Sequence, residues 1–265
     1  MENIKQLFSQ NFRKNIICEI SSENTLVLSF FLPDFIKNET DGLIIKEYFP
    51  ILISDIRQHL LNKINTNKIR ILESIPAYDT LLLDIDITQI SLNEARQSID
   101  RFLDDLFLSY NRSNIQAHSR DSTPDHVIPV YYGEECALDL KRISQEKNKS
   151  TQEIISKHSE KIYTVCAIGF SPGFAYLGFL TPHISHPRLK NPRTHVPSGS
   201  VGIADNQTGI YPCDSPGGWN IIGRTPQSMM NVQDCRNPNI FKVGERVQFK
   251  SISKDIYMSL GGSFL

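Results

Sequence analysis

Apolar positions along the first hundred residues follow two alternating rhythms, one of strands and one of helices. Ile16 to Ile20 and Thr25 to Phe31 are rich in β-branched and aromatic residues and predict strands. Leu43 to Leu61 carries Ile44, Tyr48, Leu52, Ile56 and Leu60 four residues apart, the spacing of one helical face. Pro50 would kink that helix or sit in its first turn. Lys68 to Ile75 and Thr80 to Ile87 predict two further strands around a turn of Pro76-Ala77-Tyr78-Asp79. Ser91 and Glu94 have capping-box spacing and open a helix whose apolar stripe is Ala95, Ile99, Phe102, Leu103 and Leu106. Read as strand–helix–strand–strand–helix with an extra early strand, this order predicts an α+β fold, with a ferredoxin-like α/β sandwich over residues 1–110. The polar, aperiodic stretch 111–125 predicts a linker, and residues 126–265 a second domain.

The second domain begins with a short strand, Val127 to Tyr131. Helices follow over Leu138 to Glu146 and Thr151 to His158, the latter capped by Ser150 with Glu153 three residues on. Tyr163 to Ile168 predicts an apolar strand. The pattern then changes. Residues 169–226 hold nine of the fourteen glycines and eight of the fourteen prolines. Short strands between such turns fit a β-barrel or a compact sandwich. Ile162 to Pro187 has no Asp, Glu, Lys or Arg, but its internal Gly and Pro residues favour a buried strand and an ordered loop over a membrane span.

Composition narrows the function classes. The chain has 265 residues, 28 Lys plus Arg against 29 Asp plus Glu, and no long basic run, which gives no support to nucleic-acid binding. Five cysteines without a CxxC pair suggest neither a disulfide framework nor a zinc ribbon, and suit a reducing cytoplasm. The N-terminus lacks a signal-peptide pattern. Between Ile162 and Gly244 there is no Glu, and six basic residues face three acidic ones. A positive, glycine-rich region suits an anionic ligand.

Within that region, Gly169-Phe170-Ser171-Pro172-Gly173 matches G-x-S-x-G. A nucleophile elbow needs the backbone N–H after its serine for the oxyanion, and Pro172 has none; Ser171 is therefore expected to be structural. His183, His186 and His195 lie close in sequence but lack a nearby carboxylate or thiol to complete a metal set. Ser215-Pro216-Gly217-Gly218-Trp219 places two small residues beside the chain's only Trp, an arrangement able to bring backbone amides up to an anion.

Four segments in order resemble one family. They are Gly169-Phe170-Ser171-Pro172-Gly173-Phe174-Ala175-Tyr176-Leu177-Gly178, the run from Asn191-Pro192-Arg193 through Ala204, Gln207-Thr208-Gly209-Ile210-Tyr211-Pro212, and the run from Ser215-Pro216-Gly217 through Pro226. The family is that of the 5-oxoprolinase B subunits, the sporulation-kinase inhibitor and the allophanate hydrolase subunit 1 (urea carboxylase) domain. The chain departs from it at His195, where Arg or Lys is expected, and at Ser198, where Ala is expected.

The resemblance implies an N-terminal α/β domain and a C-terminal cyclophilin-like β-barrel. It implies a cytoplasmic protein that works with the homologous 5-oxoprolinase C subunit and a third subunit to hydrolyse 5-oxoproline to L-glutamate. ATP with Mg would be the co-substrate, no tightly bound cofactor is expected, and the chain would be inactive alone. A histidine-kinase inhibitor and a carboxyltransferase-type domain are the alternatives within the family. Side-chain chemistry then suggests roles. Arg193, His195 and Gln207 are the expected catalytic residues, with Arg193 and Arg224 holding anions and His195 acting as acid or base. Ser200, Thr208, Tyr211, Ser215, Gly217, Gly218, Trp219 and Arg224 form the expected substrate-binding set. No metal ligand is expected.

Overall fold

A computed structural model describes residues 10–33, 46–64, 69–109, 123–231, 233 and 238–264. The chain divides into two compact units, one up to Thr123 and one from Pro124. Most of the expected linker, 111–125, lies outside the described residues.

The first unit contains a short 3-10 turn (Gln10–Asn15), β1 (Ile16–Ile20), β2 (Thr25–Phe30), α1 (Phe49–Ile64), β3 (Ile71–Ala77), β4 (Thr80–Ile85) and α2 (Leu92–Ser109). Pro50 stands in the first turn of α1, where its missing N–H costs nothing. The Ser91–Glu94 capping box forms as expected: the Ser91 hydroxyl accepts from Glu94 N, and the Glu94 carboxylate accepts from Ser91 N at 3.1 Å. Ala95, Ile99, Phe102, Leu103 and Phe107 of α2 are buried with Leu52, Ile53, Ile56 and Leu60 of α1 and Leu26, Leu28, Leu81 and Leu83 of the sheet. Phe107, rather than the expected Leu106, completes the buried set of α2.

The sheet order is β1-β2-β4-β3, all antiparallel. The ferredoxin-like expectation is not confirmed. Among the described residues each helix follows a complete hairpin, giving ββαββα, and the hairpins meet through β2 and β4, whereas a ferredoxin-like sandwich runs βαββαβ. The difference arises at β1 and β2. Ser21 to Asn24 lets the chain turn straight back, with Ser21 N donating to Thr25 O at 2.9 Å, so no helix intervenes.

The second unit contains β5 (His126–Val130), α3 (Leu140–Glu146), α4 (Thr151–Glu160), β6 (Ile162–Ile168), β7 (Ala175–Gly178), β8 (Arg193–Val196), β9 (Ser200–Ala204), β10 (Gln207–Ile210), β11 (Ser215–Gly217), β12 (Asn220–Arg224), β13 (Arg246–Ser251) and α5 (Lys254–Ser259). The apolar run expected to be a buried strand is β6, whose five central residues are all buried. Among the described residues, a seven-stranded sheet has the order β12-β9-β10-β7-β6-β13-β5. Its two edges then meet. Tyr131 N donates to Arg224 O at 2.8 Å and Arg224 N to Tyr131 O at 2.9 Å, so the sheet curls into a nearly closed barrel. Closure removes the exposed edge groups that an open sheet would present.

Across β6, β7, β9, β10 and β12 the barrel wall is largely buried on both faces. Tyr163, Val165, Leu177, Val201, Ile203, Ile210, Ile222, Val247 and Phe249 fill one core. The alternate residues of β7, β9, β10 and β12 lie on the other face. There Phe174, Tyr176, Ala204, Tyr211, Trp219 and Ile221 form a second layer together with Val196 from the β8–β11 ribbon. Alternation along a strand therefore assigns each motif residue to an inner or an outer layer.

Candidate functional site

The outer layer brings together several residues picked out in the sequence. Gly209 pairs with Tyr176 on one side and Gly202 on the other. A Cβ on Gly209 would lie 3.2 Å from the rings of both Phe174 and Trp219, so those aromatics rest directly on bare backbone. Phe174 contacts Trp219 edge-on, with centroids 5.4 Å apart, and Tyr176 contacts Trp219 at 5.9 Å.

Gly217 is opposite Arg193 in the ribbon. A Cβ there would meet the Tyr211 hydroxyl at 2.2 Å. The glycine is thus needed for close approach to a phenol, and not for an unusual backbone angle. Burial raises the Tyr211 pKa. The backbone N–H of Trp219 and the charges of Arg188 and Arg193 pull the other way. Gly218 is tied by its carbonyl, which accepts from Leu189 N at 2.8 Å. Tyr211, Gly217, Gly218, Trp219 and Arg193 therefore converge as the sequence suggested. Gln207 starts β10 on this same outer face, paired with Gly178 and Ala204.

Arg193 is not held in reserve for a ligand. Its two terminal nitrogens donate to the two carboxylate oxygens of Asp139, each at 2.9 Å. Asp139 is 3% exposed and also accepts from Ile221 N at 2.7 Å. Arg142 approaches the same carboxylate at 3.4 Å and donates to Asn220 Oδ1. A bidentate pair of this kind fixes both groups in orientation. It anchors β8 to the segment before α3.

Other expected site residues lie elsewhere. Thr208 faces the inner layer and is fully buried. Its hydroxyl donates to Gly202 O at 3.0 Å, so it accepts from His158 Nε2 at 2.9 Å. His158 Nδ1 is then the acceptor for the Tyr132 hydroxyl at 2.8 Å. Every hydrogen in this relay has one direction that satisfies all members, and the imidazole is neutral. Burial pushes the His158 pKa down to about 3. The expected substrate role of Thr208 is replaced by this structural one. Arg224 lies at the barrel seam, where its Nε donates to Ser198 O at 2.8 Å and its Nη1 to Ser263 O at 3.0 Å. Both expected anion-holding arginines are thus already engaged, with a carboxylate in one case and carbonyls in the other.

Ser200 is buried on β9 opposite Arg224. Ser215 is opposite Val196, and its hydroxyl is buried with no partner among the described residues. His195 is exposed, 3.9 Å from an exposed Asp214. His186 contacts Glu146 at 2.7 Å. Among the described residues no three His, Cys, Asp or Glu side chains are grouped to hold a metal ion, and no helix is long and apolar enough to cross a membrane. Ser171 Oγ is also buried without a partner among the described residues, so no base activates it there.

Sequence reasoning missed Asp139 and His158. Both are buried ionisable side chains in otherwise ordinary helical segments, and nothing local marks them. The only signal was their polarity at positions that the neighbouring pattern commits to the core.

A family model described as carboxyltransferase domain, subdomain C and D, matches residues 52–241. The 5-oxoprolinase B subunit of Bacillus subtilis (strain 168) is 42% identical over 130 residues, covering 49% of this chain and 54% of that protein. The protein of the same name from Haemophilus influenzae is 47% identical over 122 residues, covering 46% and 57%. The matches thus span about half the length of these curated relatives. The crystal structure of TTHA0988 is similar with a TM-score of 0.63 at 25% identity, covering 86% of this chain and 40% of that one.

Proposed function

The chain belongs to the carboxyltransferase-domain family, subdomains C and D, and on that premise we propose that it is the B subunit of an ATP-dependent 5-oxoprolinase. The observation that supports this reading most is the 42% and 47% identity to relatives named as 5-oxoprolinase B subunits. The partners would be a homologous C subunit and a third subunit, and the site of action the cytoplasm. The lactam of 5-oxoproline is a stable amide. Transfer of the γ-phosphoryl group of Mg-ATP to its carbonyl oxygen releases ADP and makes the carbon electrophilic; water adds to that carbon, the nitrogen takes a proton and leaves as the C–N bond breaks, and a second water hydrolyses the resulting acyl phosphate to glutamate and phosphate. Overall, ATP and two waters are consumed, and ADP, phosphate and glutamate are formed.

The outer face of the barrel suits the binding half of this task. Its buried aromatic layer is a firm base, and half-buried Tyr176 with the basic residues at the rim is what a small anionic ring would meet. On this reading Gln207, on the outer face of β10, would read the lactam amide, and exposed His195 would exchange protons. Arg193 acts through Asp139, by holding the ribbon that carries Gly217 over Tyr211.

The chain alone is expected to be inactive. Glutamate release with ATP, measured for each protein of the complex and for the mixture, tests this: turnover should require the mixture. Full turnover from this chain by itself would overturn the proposal.

A further inference from the structure

With Arg193 and Arg224 already engaged, the anion at the outer face needs another partner, and the segment 186–193 supplies one. His186 and Asp205 exchange both backbone hydrogen bonds, at 3.0 and 2.6 Å. Three residues on, Leu189 N donates to Gly218 O at 2.8 Å. Arg188 lies between these two anchors. Its neighbours His186 and Leu189 thus hold this stretch of backbone beside Gly218, next to Gly217, which packs against the Tyr211 hydroxyl. Among the described residues the Arg188 side chain makes one ion pair, Nε to Asp205 Oδ2 at 3.4 Å, with both side chains about 60% exposed (58% and 60%). Such a pair contributes little and yields readily to a better partner.

We infer that Arg188, and not Arg193, takes the carboxylate of the substrate at this face. This rests on the 5-oxoprolinase reading for the identity of the substrate. The contrast between the two arginines is geometric. Arg193 already makes a two-pronged pair with a buried carboxylate that also satisfies the Ile221 amide, so releasing it would strand both. Arg188 has a guanidinium with most of its donors uncommitted and an exposed counter-ion that can swing away. The charge would select acidic lactams over neutral ones.

The test uses the assembled complex of all subunits and compares 5-oxoproline with 2-pyrrolidinone, the same ring without its carboxylate. Arg188→Ala should raise KM for 5-oxoproline about ten- to a hundred-fold, the loss expected for a charge-assisted hydrogen bond, with kcat within a few-fold. KM for 2-pyrrolidinone should not move. Arg188→Lys should recover part of the loss. Asp205→Asn keeps a residue tolerant of the positive φ found there, 52°, and removes the competing charge, so KM for 5-oxoproline should fall by a few-fold. Lys157→Ala, on an exposed face of α4, should change nothing. An unchanged KM for 5-oxoproline in Arg188→Ala, or an equal rise for both lactams, would overturn the inference. Calorimetric titration of 5-oxoproline reads the same variants without turnover. A wild-type complex that binds with this Arg188 dependence yet releases no glutamate would sink the functional reading and keep the inference. A wild-type complex that does not bind at all would overturn the inference as well.

Discussion

The two faces of the barrel wall are made from the same short strands and serve opposite ends. The inner face is an apolar core that holds a buried relay from Tyr132 through His158 and Thr208 to Gly202 O. The outer face has bare glycine backbone under aromatic rings and arginines at its rim. Neighbouring residues of one motif, Gln207 and Thr208, fall on different faces. A motif that looks like one patch in sequence is thus divided between two layers, one that holds the barrel and one on which the proposed site rests. A resemblance carries residues over in a block; strand alternation divides that block.

The division can be broken most severely at Asp139. Asp139→Ala leaves the half-buried Arg193 guanidinium and the Ile221 amide without their acceptor, and should cost about 3–5 kcal/mol of stability. Denaturant unfolding would show it, together with loss of any ligand binding at the outer face as the ribbon loosens.

The inner relay makes a pH prediction. The His158 pKa is lowered in the folded state, so the unfolded state takes up a proton first as pH falls. The stability it contributes is complete above about 6.5 and is lost on going down toward about 3, at about 1.4 kcal/mol per pH unit inside that window. Unfolding free energy should drop by about 2 kcal/mol from pH 7 to pH 5 on this account. His158→Gln should start lower and show a flatter dependence. An unchanged slope in the variant would mean that another group titrates.

Gly217→Ala sharpens the outer side. The new Cβ has no room against the Tyr211 hydroxyl, and displacement of either should cost about 1–3 kcal/mol and shift the near-ultraviolet signal of Trp219. The smallest effect is expected from Ser171→Ala. Its hydroxyl is buried without a partner among the described residues, so stability should stay within about 0.5 kcal/mol or rise slightly, and turnover of the complex should remain within a few-fold. A thousand-fold loss of kcat there would restore a serine nucleophile.

Much of the local structure was legible in the sequence. The strands at Ile16, Thr25 and Thr80, both capping boxes and the fully buried β6 follow from periodicity and turn chemistry alone. The convergence of Tyr211, Gly217 and Trp219 was also signalled, by small residues next to large aromatic ones. What was not legible depends on distant partners. β5 joins β13 in parallel, His126 opposite Val247, across most of the second unit. Arg193 reads as an anion holder until Asp139, 54 positions earlier, is seen beside it. Thr208 reads as a substrate ligand because β9 and β10 are buried on both faces, so alternation gives no polar side to fix which way it points. Two strands before the first helix were legible as elements, but not that the two hairpins join through β2 and β4.

The most direct test of the two-face account measures unfolding free energy and KM for 5-oxoproline side by side in Thr208→Val and Gln207→Ala, each in the assembled complex. Thr208→Val removes the acceptor of the His158 Nε2 hydrogen and should lower stability by about 1–3 kcal/mol while leaving KM within two-fold or so. Gln207→Ala should cost less stability than Thr208→Val and raise KM about ten-fold. The reverse pattern, with KM moved by Thr208→Val and untouched by Gln207→Ala, would contradict the assignment of the inner face to structure and the outer face to the substrate.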